Sequence, residues 1–265
     1  MTKKFIADWT VREIIRKNDA FLLRLVLEDE NQAFPETLPG QFVQVLVKNS
    51  ASTYLRRPIS IHFVEPEKRE IHLLIQITGE GTRQIAKTAT GDKLNLICPL
   101  GNSFSLPERN DKSPKFFLLI GGGVGAAPLL YLGHRLRKIG YVPDFLLGAY
   151  SKENFFDNRP FETVGNLFLT TEDGSAGSKG YVTNHPVLET KTYDFIYTCG
   201  PRPMMQAVAQ YARKKNIPCE ISLENTMACG IGACLCCVEK TVYKGNVCVC
   251  TEGPVFNINE LLWLI

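Results

Sequence analysis

The chain lacks any long apolar run. No stretch of its 265 residues approaches the roughly 18 apolar positions that a membrane-spanning helix requires. The N-terminal segment MTKKFIADWTVREI has lysines but no apolar core of the kind a signal peptide carries. It reads as the start of a strand, and the chain is expected in the cytoplasm. A block of one charge is also missing. The 30 Lys and Arg and 27 Asp and Glu are interspersed and leave a net charge of +3. No basic tail or stripe offers a footprint for nucleic acid. Repeats, low-complexity tracts and long linkers are absent. Histidine is scarce, and His62, His72, His134 and His185 are scattered. Solvated or packed imidazoles are the plain reading of them, so none is assigned as a ligand.

Cysteine, by contrast, is plentiful. There are nine, an odd number, in a chain without an export signal. A reducing compartment disfavours disulfides, so clustered thiols point to metal or redox chemistry. Six of them, from Cys229 to Cys250, crowd the C-terminal part.

The rest of the chain changes style once. FLLRLVLED (21–29), QFVQVLVKN (41–49), RPISIHFVEP (57–66) and EIHLLIQIT (70–78) are short β-prone runs punctuated by Gly and Pro. They predict a small antiparallel barrel, with GTRQIAKTATGD (81–92) as one short helix. From residue 115 strand and helix alternate. KFFLLI is a buried strand, GGGVGAAPLL turns into a helix, and PDFLLGAY, NLFLTTEDG and DFIYTCGP contain later strands. That alternation predicts a parallel α/β sheet, closed by a helix over PMMQAVAQYARKKN (203–216). Residues after 217 are expected to hold the thiols in little regular structure. The fold class is therefore α+β and multidomain, with domains at 1–108, 109–216 and 217–265.

The spacing Cys229-x4-Cys234-x2-Cys237 matches the plant-type [2Fe–2S] arrangement, which needs one further distant cysteine. Gly230 and Gly232 let backbone N–H groups turn toward the sulfurs. Cys250 is taken as the fourth ligand. From spacing alone, Cys236 competes with Cys237 and Cys248 with Cys250. A zinc ribbon prefers two C-x2-C knuckles, and the first pair here is x4.

Three other motifs point to cofactors. Gly121, Gly123 and Ala126 form a loose G-x-G-x-x-A between a strand and a helix, where N–H groups receive a pyrophosphate. YTCGPRPMM puts Cys199, Gly200 and Pro201 at a later strand end, the side on which open α/β sheets bind ligands. In RRPISIH, Arg57 is placed to meet a phosphate or an electron-rich ring, and Ser60 a flavin edge. Gly81 and Thr82 would supply N–H and hydroxyl donors to a diphosphate. Each also has a bland reading alone: a tight turn, a solvated strand end, a helix cap.

Taken together, these motifs resemble the ferredoxin–NADP reductase superfamily: R-x-x-S, then G-x-G-T, then a glycine loop and a C-G-P turn. ENTMACGIGACLCCVEK and VCVCTEGPVF are similar to the family of electron-transfer subunits of NAD-linked, type B dihydroorotate dehydrogenases. The likeness covers nearly the whole chain. It implies FAD in the barrel, NAD in the α/β domain and a [2Fe–2S] cluster on Cys229, Cys234, Cys237 and Cys250. The choice of Cys250 then rests on C-x-[DE]-G-P-V-F. It implies flavin contacts at Arg57, Pro58, Ile59 and Ser60, a second flavin segment at Leu74, Ile75 and Gln76, and a diphosphate site at Gly81 and Thr82. The loop through Gly121, Gly123 and Gly125, with Cys199, Gly200 and Pro201, would position the nicotinamide. Cys236 stands where relatives carry a small residue. The implied partner is an FMN-containing catalytic subunit, in a heterotetramer of two of each chain. The implied role is to pass electrons from dihydroorotate oxidation to NAD⁺ in pyrimidine biosynthesis. A related subunit of a ferredoxin:NADP⁺ or hydrogenase-type complex would share every motif.

Overall fold

The structure is a computed structural model, and it describes residues 4–48, 50, 52–107 and 115–264. The first part contains β1 (Phe5–Lys17), β2 (Ala20–Val26), β3 (Phe42–Val45), β4 (Arg57–Ser60), β5 (Phe63–Glu65), β6 (Glu70–Gln76), α1 (Glu80–Ala86) and β7 (Lys93–Leu100). All pairings are antiparallel, in the order β4-β3-β7-β1-β2-β6-β5. The two outermost strands, β4 and β5, are joined through Ile61 and His62. The Ile61 N–H donates to Gln41 O at 3.0 Å and the His62 N–H to His72 O at 2.9 Å. The sheet thus closes on itself, which removes its edges. Alternation does the packing: Val43 and Val45, Phe21, Leu23 and Leu25, and Ile71, Leu73 and Ile75 fill the interior around Trp9. The run 57–66, read as one strand from sequence, is two, because the chain changes partner at Ile61–His62.

The second part contains β8 (Phe117–Gly122), α2 (Ala127–Lys138), β9 (Asp144–Ala149), α3 (Arg159–Val164), β10 (Asn166–Thr171), β11 (Ser178–Lys179), α4 (Val187–Thr190), β12 (Phe195–Cys199), α5 (Arg202–Lys214) and β13 (Cys219–Ser222). These strands pair in parallel, in the order β11-β10-β9-β8-β12-β13. Both faces are covered. Leu118 and Ile120 point into one core, Phe117 and Leu119 into the other. On α5 the buried residues Met205, Val208, Ala209 and Ala212 fall at helical spacing, and its last turn carries Arg213 and Lys214.

Beyond β13 the chain forms a hairpin of β14 (Val238–Thr241) and β15 (Gly245–Cys248), then α6 (Val249–Glu252) and β16 (Val255–Asn257). The expectation of little regular structure here is corrected. β16 returns antiparallel to β13 and adds a seventh strand to the α/β sheet. The expected boundary at 216/217 falls between α5 and β13, so the thiol-bearing residues form an excursion between two strands of one sheet. The expected boundary at 108/109 lies outside the described residues. Among the described residues, no helix is long and apolar enough to cross a membrane.

Candidate functional site

The α/β sheet reverses its winding between β8 and β12. From β8 the order runs through β9 to β11 on one side, and from β12 through β13 on the other. Such a switch point opens a crevice at the strands' carboxyl ends. Both predicted motifs lie there. Gly121 and Cys199 are register partners on the two strands. A Cβ added at Gly125 would lie 2.5 Å from Gly200 Cα and 2.6 Å from Cys199 O. One added at Gly122 would lie 2.6 Å from Met204 Sδ and 2.9 Å from Pro201 Cδ. The glycine loop and the C-G-P turn are thus packed backbone to backbone. Gly123 (φ 54°) and Gly200 (φ 153°) take conformations that side chains resist. Cys199 is buried in the floor of this crevice. Burial, and then the nearby Glu224 charge, push its thiol up, against a hydrogen bond with Ser222. It is a neutral packing group with no nucleophilic character.

In the barrel the two neighbouring arginines part company. Arg56 donates to Gln44 O and Asn95 O and ties β3 to β7. Arg57 instead lies across Gly81: a Cβ there would come within 2.3 Å of Arg57 Nε. The predicted R-x-x-S and G-T motifs are therefore in contact, and Gly81 is the residue that permits it. The Thr82 hydroxyl is used inside the turn. It accepts from the Thr78 and Gly79 N–H groups and donates to Gly79 O. The donors that α1 offers a phosphate are its first-turn N–H groups, not that hydroxyl. Pro58 and Ser60 pair with Gln44 and Phe42 of β3, and Ile59 packs against the barrel core. Ile75 points into the barrel core and Gln76 donates to Asp19 at 2.9 Å, so of the second flavin segment Leu74 and the backbone are left for a ring.

The thiols form two pairs. Cys234 meets the Cys229 sulfur through its backbone N–H, and Cys250 meets the Cys237 sulfur in the same way. Backbone N–H groups surround them. Ile231 and Cys234 donate to Cys229 Sγ at 3.4 Å each, Gly232 to Cys250 Sγ at 3.1 Å, and the Cys250 N–H to Cys237 Sγ at 3.4 Å. Burial raises the Cys229 thiol, but the Ile231 and Cys234 donors outweigh it and bring the group down to about 6. Burial and the Cys237 neighbour push Cys250 up to about 12. Positive φ at Gly230 (71°), Gly232 (85°) and Leu235 (57°) winds the loop around the first pair. This donor set fits two irons that take two thiolates each. A single tetrahedral zinc needs four converging on one point. Cys237 and Cys250 are buried, while Cys236 is exposed on the loop. Cys248 also reaches Cys237 but is less buried than Cys250.

Sequence reasoning missed two residues here. Asn102 donates to Glu252 O and Val255 O at 2.8 Å each and accepts from the Val255 N–H at 2.9 Å. Its side chain clamps the segment after Cys250 to the barrel's exit. The signal available was G-N-S, which reads as a turn. Gln44 is the other. Its carboxamide is fully buried, unpartnered and pressed against Gly230. A third cluster, Glu65, Glu70 and His72, brings its ligand atoms within 4.8 Å of one another. Arg12 and Lys68 pair with its two carboxylates, so it is a neutralised ion-pair network.

The chain is similar to known proteins. Residues 224–262 match the sequence model of the iron–sulfur cluster binding domain of dihydroorotate dehydrogenase B. The chain is 39% identical over 228 residues to the dihydroorotate dehydrogenase B (NAD(+)) electron transfer subunit of Shouchella clausii, covering 84% of this chain and 86% of that one. It is 40% identical over 231 residues to the same subunit of Caldanaerobacter subterraneus, covering 85% and 87%. Among solved structures, one of an NADH-dependent reduced ferredoxin-NADP oxidoreductase superposes with a TM-score of 0.83 at 25% identity, over 96% of this chain and 90% of that one. The flavohem-like FAD/NAD binding domain of Vibrio cholerae nitric oxide dioxygenase superposes with a TM-score of 0.67 at 21% identity, over 79% and 93%, and shares the fold. With identity of this level over most of both chains, and with the thiol pairs inside the matched segment, the chain belongs to the family of dihydroorotate dehydrogenase B (NAD(+)) electron transfer subunits.

Proposed function

We propose that this chain carries electrons from a dihydroorotate-oxidising catalytic subunit to NAD⁺, in pyrimidine biosynthesis. The observation behind the reading is the meeting of the 229–237 loop, packed against the barrel at Gln44, with Cys250 of α6, and the glycine crevice on the same sheet. A [2Fe–2S] cluster supplies single-electron transfer, and FAD supplies the exchange between single electrons and a hydride for NAD⁺.

The chain's own groups hold, orient and shield. Cys229 with Cys234, and Cys237 with Cys250, take the irons, and the N–H groups of Ile231 and Gly232 meet the sulfur charge. Arg57, lying over Gly81, places a fixed positive charge at the flavin site, and the first turn of α1 presents N–H groups to a diphosphate. Gly121 to Gly125 and Cys199 to Pro201 pack on each other at the crevice floor and would line a slot for the nicotinamide. Glu172 and Asp173 follow β10, where negative charge disfavours a 2′-phosphate and so favours NAD over NADP. No residue is needed as a general acid or base.

The partner docks on the cluster loop. There the exposed Cys234 is flanked by Ile231 and Leu235, exposed to 48% and 64%. Apolar side chains at that exposure around an exposed thiol are suited to cover by another chain. The partner bears FMN, the assembly contains two of each chain, and it works in the cytoplasm.

The test is to purify the chain anaerobically with whatever co-purifies and to follow NAD⁺ reduction driven by dihydroorotate. Turnover with an FMN-bearing partner supports the reading. A brown flavoprotein complex that oxidises NADH and ignores dihydroorotate would reject it. That outcome would move the chain to a system of the reduced ferredoxin-NADP oxidoreductase kind.

A further inference from the structure

Among the described residues, Gln44 is the buried side chain that leaves both a donor and an acceptor atom without a partner. It is 0% exposed. Strand alternation puts it where it is. Val43 and Val45 turn into the barrel, while Phe42 and Gln44 turn outward. Between those two the β3–β7 register slips: Phe42 faces Leu100 and Gln44 faces Ile97. A slip of this kind re-aims a side chain. The outward face does not meet water. Phe42 packs in one apolar core with Cys237, Val247, Val249 and Cys250.

Gly230, the residue after Cys229, closes over the carboxamide. A Cβ at 230 would lie 2.7 Å from Gln44 Cγ and 2.9 Å from Gln44 Nε2. The bare backbone of Gly230 is what lets the side chain lie against this loop, with Cγ and Nε2 its nearest atoms. Leaving the amide unpaired destabilises the chain, and an apolar side chain of equal size would not. A buried polar group of this kind calls for a partner from outside the chain. The loop it touches carries sulfur, a hydrogen-bond acceptor. An N–H directed at a cluster sulfur stabilises the added negative charge and raises the potential.

We propose that Gln44 Nε2 donates a hydrogen bond from the barrel to sulfur held by the Cys229–Cys234 loop, and thereby raises the reduction potential of the cluster. The inference rests on the reading that this loop holds the cluster. It adds a link between the two redox sites, because Gln44 is also the register partner of Pro58 in the flavin-edge strand.

The test uses the full chain with its co-purified partner, as wild type and as Gln44→Met. Iron, sulfide and flavin content are measured first. A wild type without iron and sulfide would refute the cluster reading itself and leave Gln44 out of account. With the cluster present, an EPR-monitored redox titration should show the Gln44→Met cluster about tenfold harder to reduce, a midpoint about 59 mV lower for one electron. The flavin midpoint should stay in place, and the urea midpoint of the metal-free variant should be no lower than that of the wild type. An unchanged cluster midpoint overturns the proposal, as does a shift confined to the flavin. Gln44→Glu keeps the shape and replaces the donor by an acceptor, so its midpoint should fall further; a rise would overturn the proposal. Loss of the cluster from both variants with flavin retained would also overturn it, since a donor that tunes a potential is not required for assembly.

Discussion

Gly125→Ala probes the crevice at its tightest point. The added methyl would lie 2.5 Å from Gly200 Cα, 2.6 Å from Cys199 O and 2.7 Å from Cys199 C. Carbon atoms in contact sit about 3.5–4.0 Å apart, so roughly 1 Å of separation must be created. All three neighbours are backbone atoms, and no rotamer change relieves them. Both segments are tied to paired strands, through the Cys199–Gly121 register of β12 and β8. Forcing them apart should cost about 1–3 kcal/mol of stability, by analogy with overpacked cores. A melting temperature lower by roughly 2–10 °C follows for a chain of this size. Opening the slot by about 1 Å should misplace the nicotinamide and lower kcat/KM by about 10²-fold, about 2.7 kcal/mol of transition-state stabilisation. The assay is NADH oxidation by ferricyanide with the FAD-loaded chain, which needs the crevice and the barrel but none of the thiols from Cys229 to Cys250. FAD content should be unchanged. If kcat/KM stays within about twofold and the melting temperature does not move, the nicotinamide does not use this slot.

Cys234→Ser should remove most iron and abolish electron transfer to the partner while FAD stays bound; loss of flavin with retained iron would contradict the two-site arrangement. Asn102→Ala removes three hydrogen bonds and should cost about 2–3 kcal/mol, at about 1 kcal/mol each, with faster amide exchange at Val255 as the readout. Unchanged protection there would show that the clamp is not needed. His62 donates from Nδ1 to Ala127 O at 2.7 Å, and burial holds its pKa down at about 4 from 6.5. The neutral form is the folded one, so its contribution is complete above pH 6.5 and declines as pH falls toward 4. The loss should reach about 3 kcal/mol. Urea midpoints of wild type and His62→Gln should converge over that window, and parallel curves would disprove the assignment.

Much of this was legible in one dimension. Alternating Val and Ile marked the barrel strands, and KFFLLI followed by a glycine loop marked β8 and α2. Each of these signals lies within a few residues, as does C-x4-C-x2-C. The long β1, with its register shift between Val11 and Glu13, was legible only as a strand start. The run 57–66 was read as one strand because its break depends on which neighbour each half bonds to. The thiol segment read as irregular because its short strands, β14 to β16, are held by partners and not by their own propensity.

Element types before the thiol segment, the location of the crevice motifs and the supply of thiols were legible in the sequence alone. Turn chemistry, periodicity and ligand spacing are properties of short windows. The tertiary structure decided which cysteines pair, that Arg57 and not Arg56 faces Gly81, that Asn102 clamps the return from Cys250, and that Gln44 is buried against Gly230. Apart from Cys229 with Cys234, these are encounters between segments distant in the chain, set by strand order and by packing at close contact. Outside that pair, no short window of sequence contains both partners.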